Sequence, residues 1–207
     1  MDKNRNTEKV ILEAAKSVFI EKGLEGARMQ EIADKAQINK ALLHYYFRTK
    51  DKLFENVFSM AFNDVFVVIE QTLAVETDFE SFLERFITSY TGLLKKKPFI
   101  AQFVLHELNR KPERIVANIQ QNNVDKEKIF GIIKKAVDSK IIRPVSPVHL
   151  ITNILALCIF PFVARPVITG FLMDGDKKKY DQYINERPEQ IISFVKNALF
   201  INNSDRS

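Results

Sequence analysis

One cysteine, three histidines and six glycines in 207 residues each close off a class of protein. Cys158, alone and set in an apolar run, cannot form an intramolecular disulfide and suits a reducing cytoplasm. His44, His106 and His149 are isolated, and there is neither a helical His-x-x-x-His pair nor a cysteine cluster, so no metal site is expected. No Gly-rich phosphate loop and no paired nucleophile and base can be read, so the usual parts of an enzyme are missing and no cofactor is expected. A long apolar run is missing too. Leu150 to Val163 is apolar apart from Thr152 and Asn153, but it is 14 residues long, is interrupted by Pro161 and is bracketed by His149 and Arg165. A spanning helix needs about 20 apolar residues, so this segment reads as a buried helix that needs a partner. The opening MDKNRNTEK lacks the apolar core of a secretory signal.

What is present is an ordinary composition for a packed helical protein, 46% hydrophobic and 28% charged. The net charge of +5 and pI of about 9.2 are compatible with a polyanionic partner without identifying one, since neither half of the chain is a basic tail. The first periodic segment runs from Thr7 to Lys22. Val10, Ile11, Ala14, Ala15, Val18 and Phe19 form one helical stripe, and Lys22-Gly23 is a suitable stop. A short helix follows from Met29 to Ala36, with Met29, Ile32, Ala33 and Ala36 on one face. After Gln37-Ile38, Asn39 is a good N-cap for a second short helix, Lys40 to Tyr46, with Leu43, Tyr46 and Phe47 facing inward. Thr49 then caps a long helix from Lys50 to about Val75.

Two short helices with a tight turn between them, over about residues 28–47, have the helix-turn-helix arrangement. In that motif the second helix lies in the major groove and helix starts attract phosphates. Lys40, Ala41, Leu42, His44 and Tyr45 are the candidates for base edges, and Arg28, Arg48 and Lys50 for phosphates. The same spacing also suits a purely structural helical hairpin.

The order Ala14-Ala15, Phe19, Gly23, Ile32-Ala33, Ala36, Lys40, Leu43, Tyr46-Phe47, Lys50, Leu53-Phe54 resembles the DNA-binding domain of TetR-family bacterial transcriptional regulators over the first 55 residues. The resemblance implies that Lys40, His44, Tyr45, Tyr46 and Lys50 occupy positions used on DNA in that family. Arg28, Gln37, Ala41 and Leu42, and the order His44-Tyr45, depart from its usual pattern. The family commonly has a hydroxyl residue in place of Arg28 and glycine in place of Gln37, so Gln37 is expected to bear about 1 kcal/mol of left-handed strain. The expected fold is all-α: a helix-turn-helix domain over 1–52, with Asn39 also in the DNA-facing set, and a helical effector-binding and dimerisation domain over 53–207.

In that second part, Phe54 to Phe66 continues the long helix with an aromatic stripe. A helix capped by Thr77 or Asp78 runs to Lys97, another opens at Pro98 and ends near Asn109, and two more span Glu113–Gln121 and Val124–Lys140. Pro147 opens the apolar helix, which Pro161 and Arg165-Pro166 are expected to break. Lys177-Lys178-Lys179 reads as an exposed loop before a last helix, Pro188 to Ile201. The two late helices suit pairing with their copies as a four-helix bundle, as the resemblance also implies. The function expected is a cytoplasmic repressor that binds a palindromic operator as a homodimer and is released by a small, largely apolar effector. The expected cavity wall is Phe62, Phe66, Phe86, Tyr90, Phe103, His106, Phe130 and Phe160. An enzyme, a helical adaptor without DNA, and an activator without induction are the alternatives.

Overall fold

Helical periodicity dominates the structure as it does the sequence. The computed structural model describes residues 2–75 and 78–201, with side chains from residue 6; Thr77 lies outside the described residues. The helices are α1 (Asp2–Gly26), α2 (Met29–Lys35), α3 (Lys40–Tyr46), α4 (Lys50–Leu73), α5 (Phe79–Lys96), α6 (Phe99–Arg110), α7 (Pro112–Gln121), α8 (Lys126–Asp138), α9 (Pro147–Val163), α10 (Arg165–Val167) and α11 (Lys177–Leu199), with a π-helical turn at Ile168–Leu172. The chain divides into two compact units, Met1–Asn63 and Asp64–Ser207, and α4 contributes residues to both.

In the first unit the α1 stripe closes over α2 and the start of α4. Ile11, Ala15 and Phe19 are buried with Ile32, Ala33, Leu43, Phe47, Leu53 and Phe54, and the Phe19 and Phe54 rings meet edge to face at 5.2 Å. Val10 is the exception to the predicted stripe, being exposed. Helix α1 begins five residues before the predicted Thr7 and is kinked at Gly23, whose φ of 68° only glycine adopts freely. Predicted caps are present as hydrogen bonds. The Asn39 side chain accepts from Leu42 N at 2.7 Å, and Thr49 Oγ1 accepts from Lys52 N at 3.1 Å.

The second unit is built on α5, whose face of Phe79, Leu83, Ile87, Tyr90 and Leu94 is buried. Asp78 caps it by accepting from Ser81 N at 2.9 Å, and that amide holds the Asp78 carboxyl below its usual range. Lys196 of α11 reaches back to Glu80, at 2.5 Å, and to Glu84. An antiparallel bridge between Ile142 and Phe200, with Arg143 N donating to Leu199 O at 2.8 Å, pins the end of α11 to the α8–α9 connector.

Two late expectations need correction. Pro161 does not break α9, which continues to Val163. A proline there has no N–H for the carbonyl of Leu157, and that carbonyl instead accepts from Arg187 Nη2 of α11 at 3.2 Å. Tyr180 of α11 also donates its hydroxyl to Pro161 O at 3.0 Å. The last helix begins at Lys177, not Pro188, and Lys177-Lys178-Lys179 forms its first turn. Asp176 caps it, accepting from Lys178 N and Lys179 N. The face Tyr180, Ile184, Ile191, Val195 is buried and carries the helix through Pro188.

Candidate nucleic-acid interface

The turn between α2 and α3 fixes how the second short helix is presented. Gln37 N donates to Asp34 O at 3.1 Å and Ile38 N to Ala33 O at 3.0 Å, the paired bonds of a Schellman ending. This ending needs a left-handed residue, and Gln37 supplies it at φ 56°. With Asn39 capping α3 and Leu43 and Phe47 locked in the core, the opposite face of α3 must point outward. Lys40, Ala41, His44 and Tyr45 are exposed there, Tyr45 at 76%, while Leu42 and Tyr46 are half-buried. The Tyr45 and Tyr46 rings meet edge to face at 5.5 Å. His44 Nδ1 lies 3.3 Å from Arg48 O, which ties the ring to the chain just past the helix.

The cationic residues divide into two kinds. Arg28 precedes α2 without capping it through its side chain, and both it and Arg48 are exposed, so both guanidinium groups face solvent at the edge of the motif. Lys50 is different. Its ammonium donates to Ala27 O at 3.1 Å and Glu25 O at 3.2 Å, which uses two of its three hydrogens on the α1–α2 connection. Asn39 likewise has its side-chain oxygen committed to the cap, leaving only its amide hydrogens to reach outward.

Sequence comparison bears on this geometry directly. Residues 11–57 match the family model described as bacterial regulatory proteins, tetR family, the segment that holds α2, the turn, α3 and the start of α4. The probable HTH-type transcriptional regulator YttP of Bacillus subtilis (strain 168) is 26% identical over 188 residues, covering 87% of this chain and 90% of that protein. Residues 11–57 are thus a DNA-binding segment similar to that of tetR-family regulators. The N-terminal unit is the helix-turn-helix DNA-binding part of a transcriptional regulator, not part of an enzyme. The uncharacterized HTH-type transcriptional regulator YuxN of the same organism is 28% identical over 101 residues, 47% of this chain and 34% of that protein. The crystal structure of HlyIIR, a hemolysin II transcriptional regulator, aligns with a TM-score of 0.58 at 25% identity, covering 91% of this chain and 96% of that one. Among the described residues no single helix is long and apolar enough to cross a membrane, and no group of His, Cys, Asp and Glu is placed to hold a metal.

The second unit contains a cavity of about 110 Å³. Its wall comes from four helices: Ile69, Thr72 and Leu73 of α4, Phe79, Leu83 and Phe86 among others of α5, Ile129 and Ile133 of α8, and Leu150 and Ile154 with their neighbours on α9. Of the eight residues expected to form such a wall, only Phe86 does. Phe62 stacks on Phe58 at 5.1 Å within the first unit. Phe66 borders a neighbouring cleft. Tyr90 and Phe103 are buried outside the lining, with burial raising the Tyr90 hydroxyl well above its usual pKa. His106 and Phe130 are half-buried elsewhere, and Lys126 sits over the Phe130 ring at 5.8 Å. Phe160 is 61% exposed and cannot wall an enclosed space. Beside Phe79, Phe82 and Phe86 the wall is aliphatic, and Leu150, Ile151, Ile154 and Leu155 recur at i, i+1, i+4 and i+5 in α9.

Proposed function

We propose that this chain is a cytoplasmic, ligand-responsive repressor that binds a palindromic operator as a homodimer. The observation that carries the DNA half of this reading is the exposed face of α3, capped by Asn39 and backed by buried Leu43 and Phe47. Lys40, Ala41, His44 and Tyr45 read base edges from that face, with Leu42 and Tyr46 at its margins. Arg28 and Arg48 hold phosphates on either side. Lys50 keeps one hydrogen for a phosphate and uses the others to brace the loop before α2. Asn39 adds a backbone contact through its amide.

The ligand half rests on the cavity and on α4. Ile69, Thr72 and Leu73 line the cavity and belong to the same unbroken helix as Lys50 to Phe58. A ligand that fits only one of two α4 positions shifts the population between them, and DNA affinity with it. The proposed functional limits of 1–52 and 53–207 divide α4 at its first turn, whereas its residues up to Asn63 pack with the first unit, so the helix belongs to both parts.

Fluorescence anisotropy with a duplex from the chain's own upstream region, against a random duplex, tests the DNA reading across a salt series. Binding should weaken steeply with salt. Arg48→Ala should weaken both duplexes alike and reduce the salt slope by about one, whereas Tyr45→Ala should cost about 1–3 kcal/mol on the specific duplex and relax its preference. Absence of salt-dependent binding to either duplex would favour the helical adaptor instead.

A further inference from the structure

We propose that the effector is an anionic amphiphile: an unbranched aliphatic chain whose end enters the cavity and whose anionic head rests beside Lys128 and Lys135 on α8. This rests on the reading that the cavity is the effector site. The wall decides the chemistry of the inner end. Its one polar side chain, Thr72, is buried and donates its hydroxyl to Val68 O at 2.7 Å within its own helix. Nothing else in the lining offers a hydrogen bond, so a charged or strongly polar group inside would lose its water without compensation. At about 110 Å³ the space is smaller than the roughly 150 Å³ known to admit a benzene ring. A slender apolar end suits this space, and the rest of a longer molecule must lie outside.

Two clefts share lining residues with the cavity, and charge chooses between them. One, of about 540 Å³, shares Ile69 and Leu73 with the cavity but is bordered by Glu70 and Asp125 against Lys128. The other, of about 700 Å³, shares Phe79 with it and is bordered by Lys128, Lys135 and Asp78. Asp78, which accepts from Ser81 N and from Ser81 Oγ at 3.0 Å, stays ionised, so this cleft sets two cations against one anion where the other sets one cation against two anions. Lys128 and Lys135 are exposed, and among the described residues neither ammonium has an ion pair or hydrogen bond. Seven positions apart, they stand two turns along one face of α8, about 10 Å from each other. Ile129 and Ile133 of the same helix face the cavity. One helix thus offers an apolar edge to the chain and a cationic edge to the head.

Calorimetric titration of the full chain with octanoate, octanol and octylamine tests this, with thermal unfolding as a check that each variant is folded. Octanoate should bind about fivefold more tightly than octanol, and octylamine more weakly than either. In the Lys128→Glu, Lys135→Glu double variant the preference should reverse toward octylamine while octanol binding stays unchanged. Ile154→Phe, which fills the cavity, should abolish all three. Equal binding of octanoate and octanol, unaffected by the double variant, would overturn the anionic head but leave the cavity as the effector site. Unchanged binding in folded Ile154→Phe, or no binding of any of the three, would overturn the cavity reading and this proposal with it.

Discussion

A single backbone angle sets the turn on which the reading head depends. Gln37 holds φ 56° because the Schellman bonds to Ala33 and Asp34 require a left-handed residue after Ala36, and a side chain with a Cβ resists that conformation. Gln37→Gly is therefore expected to stabilise the protein by about 1 kcal/mol, read as a higher urea midpoint with an unchanged slope. Gln37→Val should lower the midpoint by a similar amount or more, since branching at Cβ worsens the clash. Buried charge gives a second case. Glu107 is fully buried, and among the described residues its side chain has Arg114 Nη1 as partner, at 3.4 Å. Removing one member of such a pair strands the other, so Arg114→Ala is expected to cost about 3 kcal/mol, measured by chemical denaturation. Glu107→Leu with Arg114→Leu should cost much less than the single change, because no charge is left buried.

At the scale of elements, α9 and α11 are coupled through a proline. Pro161 withholds the N–H that Leu157 O would accept, and Arg187 of α11 supplies a replacement. Arg187→Met should cost about 1–3 kcal/mol by leaving that carbonyl unsatisfied. In a Pro161→Ala background, where the backbone N–H is restored, the same change should cost distinctly less. Additive costs in this double-mutant cycle would show that Arg187 acts through its packing on Tyr183, over whose ring it lies at 5.7 Å, and not through the carbonyl. The coupling also explains why α9 and α11 were hard to delimit from sequence. Pro161 and Pro188 are ordinary helix punctuation, and only a neighbour that relieves the lost hydrogen bond, or a buried stripe on the far side of the proline, lets a helix pass through.

For the whole molecule, the apolar surface left uncovered is the informative feature. Val148, Leu155 and Phe160 of α9 and Phe194 of α11 are exposed, Phe194 at 65%, on two helices that pack against each other. Proposed pairing with a second copy covers this face, and a palindromic operator calls for two reading heads one DNA turn, about 34–36 Å, apart. Phe160→Glu combined with Phe194→Glu is expected to give a monomer by analytical ultracentrifugation and to lower affinity for a palindromic duplex by about 100-fold or more, with the thermal midpoint of the first unit little changed. A variant that stays dimeric and keeps its affinity would place the pairing surface elsewhere.

Much of this protein was legible without coordinates because the information is local. Helical periodicity, the Asn39 and Thr49 caps, a cap at Thr77 or Asp78, and the spacing from Lys40 through Tyr46-Phe47 to Leu53-Phe54 depend on residues close together in the chain, and these set the all-α class and the helix-turn-helix. The exposure of α3 followed for the same reason. What the tertiary structure alone decided involves partners distant in the chain: Arg187 carrying α9 through Pro161, Lys50 turned back onto Glu25 and Ala27, and a cavity walled by residues of four helices, phenylalanines among them, while most of the expected aromatics packed elsewhere. A cavity is the space that several faces fail to fill, and periodicity in one helix shows which residues turn inward but not which of them meet.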